Sequence, residues 1–558
     1  MGRAWRRAPP GAARVAGFCV TLAQLYSPTV PAMTRKKNSV DTLGAMEPGF
    51  EQILSPEALA FVAELHRSFN ARRLELLGRR RAVLDTGGSG LDFDPATREI
   101  RDSEWQVAPV PNDLQDRRVE ITAPVDRRMM INALNSGARV FMADMEDSKS
   151  PLWEGMIQGQ VNLRDAVRRE LRFTGKAGRQ YRLHEDIATL VLRPRGLHLP
   201  EAHVRVDGEE VSGALFDFGL YFFHNAAETL ARGSGPYFYL PKLEHHLEAR
   251  WWNDVFKKAQ DLLGIPQGSV RVTVMVETVT AAFCMDEMLY QLRDHVCGLN
   301  AGRWDYIFSF IKHFRERADH IFPDRSQVTM TVPAMRAYTQ RLVAVSHRRG
   351  AHAIGGMAAF IPSRKDPAVN ETAIANVRKD KERELADGFD GTWVSHPDLV
   401  PVVADLFERA LGGAPHQKHA RKEGTQVGRA RLLNPQVPGG KITERGIRKN
   451  VSSALQYIDR WLCGIGAAAI DNLMEDTATA EVARAQLWQW IRHGAVCDDG
   501  AAVTAELYKK LRAEELKALG GAGQDRLGEA AELLDSIVLD CEFAEFLTPR
   551  AYRKLIAD

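Results

Sequence analysis

Cysteine is scarce and scattered in this 558-residue chain: Cys19, Cys284, Cys297, Cys463, Cys497 and Cys541 form no CxxC pair and keep no metal-like spacing with histidine. That argues against a disulfide-stapled scaffold and a zinc module, and fits reduced thiols in a cytosol-like compartment. An excess of charge of one sign is also missing. Lys plus Arg number 74 against 72 Asp plus Glu, and the net charge of +2 gives no electrostatic footprint for nucleic acid or an anionic membrane surface. No apolar run approaches the roughly 18 to 20 residues of a membrane helix. Beyond the first 45 residues the sequence carries no low-complexity tract, and internal repeats are lacking throughout.

What the chain does have is 45% hydrophobic and 26% charged residues, the composition of a soluble globular protein of several domains. Residues 1–45 stand apart: MGRAWRRAPPGAARVAGFCVTLAQLYSPTVPAMTRKK is rich in Arg, Ala and Pro and free of acids. They read as a transit or signal segment, as a disordered extension, or as sequence upstream of a working start at Met33 or Met46. The terminal KLIAD is not a peroxisomal SKL-type signal, so a cytoplasmic location is expected, with organellar targeting left open by the extension. An N-terminal helical segment is expected over 46–115, built around SPEALAFVAELHRSFNARRLELLGRRRA, which opens on a Ser-Pro-Glu helix start.

From residue 116 to 412 the rhythm changes. Eight short apolar runs, VEITAPV, ARVFMADME, ATLVLRPRG, PYFYLPKL, VRVTVMVE, WDYIFSF, HAIGGMA and DGTWVSHP, are each followed by a helix-length segment. Strands buried on both faces and alternating with helices predict an α/β fold, a (β/α)₈ barrel, with RFTGKAGRQYRL as an inserted hairpin. Residues 413–449 read as a Gly- and Pro-rich linker. Residues 450–558 read as an all-helical domain, from apolar positions three and four apart in VSSALQYIDRWLCGI, TAEVARAQLWQWI, AAVTAELYKKLRAEEL and LGEAAELLDSIV.

In such a barrel the chemistry sits at the C-terminal ends of the strands. Glu277 closes the fifth run, and Asp305 opens the sixth beside it. Two carboxylates at one mouth suit Mg²⁺, which prefers oxygen ligands and keeps positions for water and substrate; an ion pair for Glu277 and a turn cap for Asp305 fit the spacing equally well. Arg193 and Arg195 end the third run, where one guanidinium facing inward could bind a carboxylate or an alkoxide. His224, Trp488 and Trp490 read as structural.

The blocks GARVFMADMEDS, QVNLRDAV, LRPRGLHLPEAHV, LFDFGLYFFHN, GSGPYFYLPKLE, GLNAGRWDYIFS, GGMAAFIPS, DGTWVSHP and LMEDTATAE, in this order, resemble the malate synthase family in its shorter A-type form from about residue 50 onward. The resemblance implies a Mg²⁺-dependent Claisen condensation of acetyl-CoA with glyoxylate, then hydrolysis of the thioester to malate and CoA. It implies Glu277 and Asp305 as metal ligands, Asp476 as the base on the acetyl methyl, and Arg193 facing the forming enolate. Glu146 and Asp147 would hold waters near the metal. Glyoxylate would meet Arg193, Gly302, Arg303 and Trp304, and acetyl-CoA would enter past Arg127, Arg128, Trp393, His396 and Pro397, between two lobes that close. Read locally, Asp476 starts a helix, whose amides lower a carboxyl's pKa while burial raises it. Two other activities compete: a malyl-CoA or citramalyl-CoA lyase on a related barrel, and a non-catalytic acyl-CoA or glyoxylate binding protein.

Overall fold

A computed structural model describes residues 39–362, 366–420 and 427–557, so most of the basic extension lies outside the described residues. Eight parallel strands close into a barrel in sequence order: β1 (Val119–Pro124), β2 (Val140–Asp144), β3 (Thr189–Arg193), β4 (Tyr237–Leu240), β5 (Arg271–Val276), β6 (Val296–Ala301), β7 (His352–Ala358) and β8 (Gly391–Val394). The fold is therefore the expected (β/α)₈ barrel. Helix α1 (Pro56–Leu84) begins where expected, with Ser55 Oγ accepting from Ala58 N at 3.2 Å and Pro56 in the first turn. It lies across the helices that follow β3 and β4. Among the described residues no helix is long and apolar enough to cross a membrane.

One strand differs from the sequence reading. WDYIFSF is not the sixth strand but the start of helix α2 (Arg303–His313), and β6 is the preceding VCGLNA. Residues 305–313 are buried without a break because α2 is wedged between the barrel wall and the C-terminal lobe. A helix covered on every side loses its polar stripe and reads as a continuous apolar run. Gly298 and Asn300 in turn disguise β6. Helix α3 (Pro367–Asp387) follows β7, and its N-cap Asp366 accepts from Ala368 N and Val369 N.

The last lobe is helical: α4 (Glu444–Leu462), α5 (Thr477–Arg492), and helices Ala505–Ala518, Leu527–Val538 and Thr548–Leu555. A small hairpin, Ala468–Ile470 with Leu473–Glu475, separates α4 from α5. It turns on Asp471 and Asn472, both at positive φ (50° and 60°), the backbone of a two-residue turn that Asp and Asn tolerate. Trp490 Nε1 donates to the Phe322 carbonyl at 2.9 Å and Trp488 Nε1 to that of Asp540 at 2.8 Å, while His224 Nε2 lies 2.8 Å from the Ile53 carbonyl.

The interior of the barrel is apolar in its middle, with Val140, Met142, Val191, Tyr237, Met275 and Ile354 in one buried cluster. Near the N-terminal ends of the strands a polar layer closes it. Arg117 donates to Glu120 (2.6 Å), Thr273 (2.8 Å) and the Tyr239 hydroxyl (2.8 Å), and Glu120 also accepts from Tyr239 (2.5 Å) and Trp393 Nε1 (2.9 Å). Arg117 and Glu120 are fully buried. Removing one partner of a buried ion pair strands the other, so Glu120→Ala is expected to cost about 3–5 kcal/mol in urea unfolding; a loss within experimental error would show that the layer is not stabilising.

Candidate active site

Alternation along the strands decides what faces the barrel mouth. On β2 the inward positions are Val140, Met142 and then Asp144; on β3 they are Val191 and then Arg193; on β5 Met275 faces in, and two residues later comes Glu277. Successive side chains of a strand point to opposite faces, so each charged group ends an apolar inward row and lies at the C-terminal rim. There a cavity of about 610 Å³ is lined by Asp144, Asp147, Arg193, Glu277, Asp305 and Asp476 among others. Its size is that of a small-molecule site. A larger and more open cleft of about 820 Å³, between Asp319–Pro323 and Pro435–Ile442, holds none of these groups.

Arg193 is locked by Asp144: Nε and Nη2 donate to its two oxygens at 2.7 and 2.5 Å, a bidentate pairing. Asp144 also accepts from the amides of Glu146 (2.9 Å) and Ser148 (2.8 Å), which leaves its carboxylate saturated. Arg193 Nη1 is thus the nitrogen turned to the cavity, 3.2 Å from Asp147 and 3.3 Å from Met275 Sδ. The second cation is Lys242, just beyond β4. Its Nζ reaches Asp147 (2.7 and 2.8 Å), Glu146 (3.0 Å) and Asp305 (3.4 Å), and its amide donates to Glu277 Oε1 at 2.6 Å. Its φ of 51° lies in the left-handed region, a conformation that costs a non-glycine residue free energy and is sustained here by these contacts.

Negative charge exceeds positive in this space. Burial pushes the Glu146, Glu277 and Asp305 carboxyls above their ordinary range, and the neighbouring carboxylate of Asp147 adds to it, with Lys242 opposing. Asp147 goes the other way: burial would raise it, but Lys242 and Arg193 hold it below the usual carboxylate range. Burial alone would lower Lys242, yet Asp147, Asp305, Glu146 and Glu277 keep its ammonium firmly protonated. One oxygen from each of Asp147, Glu277 and Asp305 lies within 4.8 Å of the others. Glu277 Oε2 and Asp305 Oδ1 are buried without a hydrogen-bond partner. Unpartnered buried carboxylate oxygens are costly, and a hard divalent cation with oxygen ligands would satisfy both at once.

The seat depends on Gly302. A Cβ there would stand 2.7 Å from Glu277 Cβ and 3.0 Å from Oε2. The Gly302 amide donates to the Tyr338 hydroxyl at 3.0 Å, and that hydroxyl donates in turn to the Val276 carbonyl, fastening the end of β5 to the start of α2.

Asp476 caps α5, its Oδ1 accepting from Ala478 N at 3.1 Å. The competition between cap and burial is decided by burial, which together with the nearby Asp147 carboxylate raises the carboxyl to about 7 against the pull of Arg193 and Lys242. The adjoining Glu475 also lines the cavity, and one of its oxygens accepts from Thr479 Oγ1 at 2.5 Å.

Of the other residues read from the sequence, Gly302, Arg303, Trp304 and Trp393 also line the cavity. The Arg303 guanidinium, however, donates to the Val328 carbonyl and stacks over Trp304, and the Trp393 indole N–H is spent on Glu120 and Tyr239. Arg127, Arg128 and Pro397 lie outside the cavity, contrary to expectation. Arg127 pairs with Asn162 and Asp165, and Arg128 stacks on Tyr181 of the inserted hairpin, because the helix after β1 turns these side chains toward the outer wall. Pro397 merely starts a short 3₁₀ turn capped by His396. Arg195 is held by Asp217 (2.8 Å) and Glu201 (2.9 Å), away from the mouth. Lys242 and Asp144 were not singled out from the sequence. The signal for Asp144 is the inward row Val140, Met142, Asp144; Lys242 breaks its strand's alternation and leaves only "PKLE" after the fourth run.

Gly302→Ala is expected to displace Glu277. Saturating Mg²⁺ at about 100 times its dissociation constant should stabilise the wild type by roughly 2.7 kcal/mol in thermal unfolding, and the variant should show little of this. Equal stabilisation of both would remove the Glu277 side of the cavity from the cation seat.

Comparison with known families agrees with this architecture. Residues 38–99, 189–435 and 441–555 match the family descriptions "Malate synthase, N-terminal domain", "Malate synthase, TIM barrel domain" and "Malate synthase, C-terminal". A malate synthase of Myxococcus xanthus is 52% identical over 522 residues, 92% of this chain and 96% of the relative. One of Streptomyces clavuligerus is 54% identical over 523 residues, 91% and 96% of the two chains, and a glyoxysomal one of Brassica napus 46% over 550, 96% and 97%. A barrel with this charged mouth, completed by a helical lobe and matched along nearly its whole length, makes the chain a member of the malate synthase family.

Proposed function

We propose that the cavity at the barrel mouth is where this acyltransferase condenses acetyl-CoA with glyoxylate and hydrolyses the resulting thioester to malate and CoA, with Mg²⁺ as its cation. The observation that carries this reading is the opposition of two groups across one cavity: a buried pair of unpartnered carboxylate oxygens, on Glu277 and Asp305, and a half-buried aspartate, Asp476, with a pKa raised to about 7. A general base works best with a pKa near the operating pH.

Glu277 and Asp305 would hold Mg²⁺ through those free oxygens, while Asp147, whose two oxygens are occupied by Lys242 and Arg193, would complete the ring through its water; when bound, the cation supplies Lewis-acid polarisation of the aldehyde. Glu146, which accepts from Lys242, would hold water beside the cation. Gly302, the N-cap of α2, brings no side-chain cap, so the first-turn amides of Arg303 and Trp304 are suited to receive the glyoxylate carboxylate. Asp476 takes a proton from the acetyl methyl. Arg193 Nη1, fixed by the hold of Asp144 on the rest of the guanidinium, stabilises the enolate oxygen. For the CoA arm, α3 offers Lys379 and Arg383 on the cavity wall beside Phe360, cations suited to phosphate. Residence in the cytoplasm is consistent with the five described cysteines, all of which are free.

A thiol-release assay tests the whole reading: free CoA should appear only when acetyl-CoA, glyoxylate and Mg²⁺ are present together, whereas a lyase would cleave malyl-CoA without releasing thiol from acetyl-CoA. Asp476→Asn should abolish turnover and leave glyoxylate binding intact; near-normal turnover would remove Asp476 as the base. Since the base works deprotonated, kcat/KM should fall as pH drops through its pKa. A bound cation adds positive charge and pulls that pKa down, so the acidic limb should have its midpoint between the ordinary 3.8 and about 7. A pH profile with no such limb would be incompatible with a carboxylate base.

A further inference from the structure

The base is attached to the cation platform at a point the chemistry above does not use. The backbone carbonyl of Asp147 meets three donor groups of the C-terminal lobe: Thr477 N at 3.2 Å, Thr477 Oγ1 at 2.9 Å and the Tyr457 hydroxyl at 3.1 Å. The same hydroxyl lies 2.7 Å from the Gly466 carbonyl and 2.9 Å from Thr477 Oγ1. Two hydroxyl protons therefore serve two carbonyls, one on each lobe, and both side chains are buried. The backbones also touch: a Cβ on Gly466 would stand 2.5 Å from the N, Cα and C atoms of Lys149. On the far side the hairpin leading to Asp476 is stitched to the segment after β7, Met474 N donating to Ala359 O at 2.7 Å and Ile361 N to Asn472 O at 2.9 Å.

From this juxtaposition we propose that Thr477 and Tyr457 are positioning residues, which register the base Asp476 against the cation seat by way of the Asp147 carbonyl. The inference rests on the reading of Asp476 as the base. Asp147 carries the registration because its two ends face different lobes: its carboxylate is held by Lys242 and Arg193 in the barrel, and its carbonyl is held by the residue next to Asp476. Loss of the Thr477 or Tyr457 hydroxyl leaves every group that touches substrate or cation in the protein and alters only the separation between them.

The test compares Thr477→Val, Thr477→Ser and Tyr457→Phe with Asp476→Asn in the full chain, using kcat, both KM values, the Mg²⁺ titration and the isotope effect with trideuterated acetyl-CoA. Misplacement by about 1 Å can cost on the order of 100-fold in rate, so Thr477→Val and Tyr457→Phe should lose about 10- to 100-fold in kcat. The KM values and the Mg²⁺ midpoint should stay within about twofold, the loss belonging to the transition state alone. The isotope effect should rise as proton abstraction becomes slower, and Thr477→Ser, which keeps the hydroxyl, should restore kcat. Should Thr477→Val fail to fold, Tyr457→Phe and Thr477→Ser carry the same comparison. Unchanged kcat and isotope effect, or an equal loss in Thr477→Ser, overturns the proposal. If Asp476→Asn is inactive while the clamp variants are normal, the clamp alone fails; if Asp476→Asn turns over normally, it is the base assignment that fails.

Discussion

Six carboxylates, Asp144, Glu146, Asp147, Glu277, Asp305 and Asp476, crowd around two cations, Arg193 and Lys242, at the barrel mouth, all of them buried but the half-exposed Asp476. That imbalance governs the rest of the site. Asp144 is neutralised by a bidentate guanidinium and two amides, and Asp147 by an ammonium and the remaining guanidinium nitrogen. The acids left over are those whose pKa values climb. Such a cluster is expensive to assemble in the absence of a counter-charge, and its members are held by strand ends, by the first turn of α2 and by the cap of α5. The strained backbone of Lys242 belongs to the same account, for its amide and its ammonium both serve the acids.

The helical lobe does more than cover the barrel. Its hairpin is pinned on one side to the segment after β7 and on the other to the carbonyl of Asp147, with the Gly466 backbone pressed against Lys149. α5 packs on α2, the helix whose first turn carries Asp305, so the base and one proposed cation ligand are linked through neighbouring helices as well as through hydrogen bonds. Distances across the cavity are accordingly set by short covalent and hydrogen-bonded paths.

Much of this was legible in the sequence, and the reasons are local. Glu277 and Arg193 stand out because an apolar strand row ends on a charge, and period-two alternation aims that charge at the mouth. The eight-fold strand rhythm fixed the barrel. It failed once, at WDYIFSF, where all-round burial erased the helical stripe. The role of Lys242 was hidden because a left-handed residue breaks alternation, and the position of Asp147 because one residue contributes a carboxylate to one lobe and a carbonyl to the other. Arg127 and Arg128 face the outer wall instead of the cavity, because nearness in sequence to a strand end says nothing about which way the first helical turn points its side chains. Whether Asp476 is raised or lowered depended on its burial, a property of packing between two lobes far apart in the chain.

The polar layer of Arg117, Glu120, Tyr239 and Trp393 stops the barrel from below as a cork stops a tube. Entry to the cavity is thereby confined to the rim, the one end at which the strands present Arg193 and Glu277.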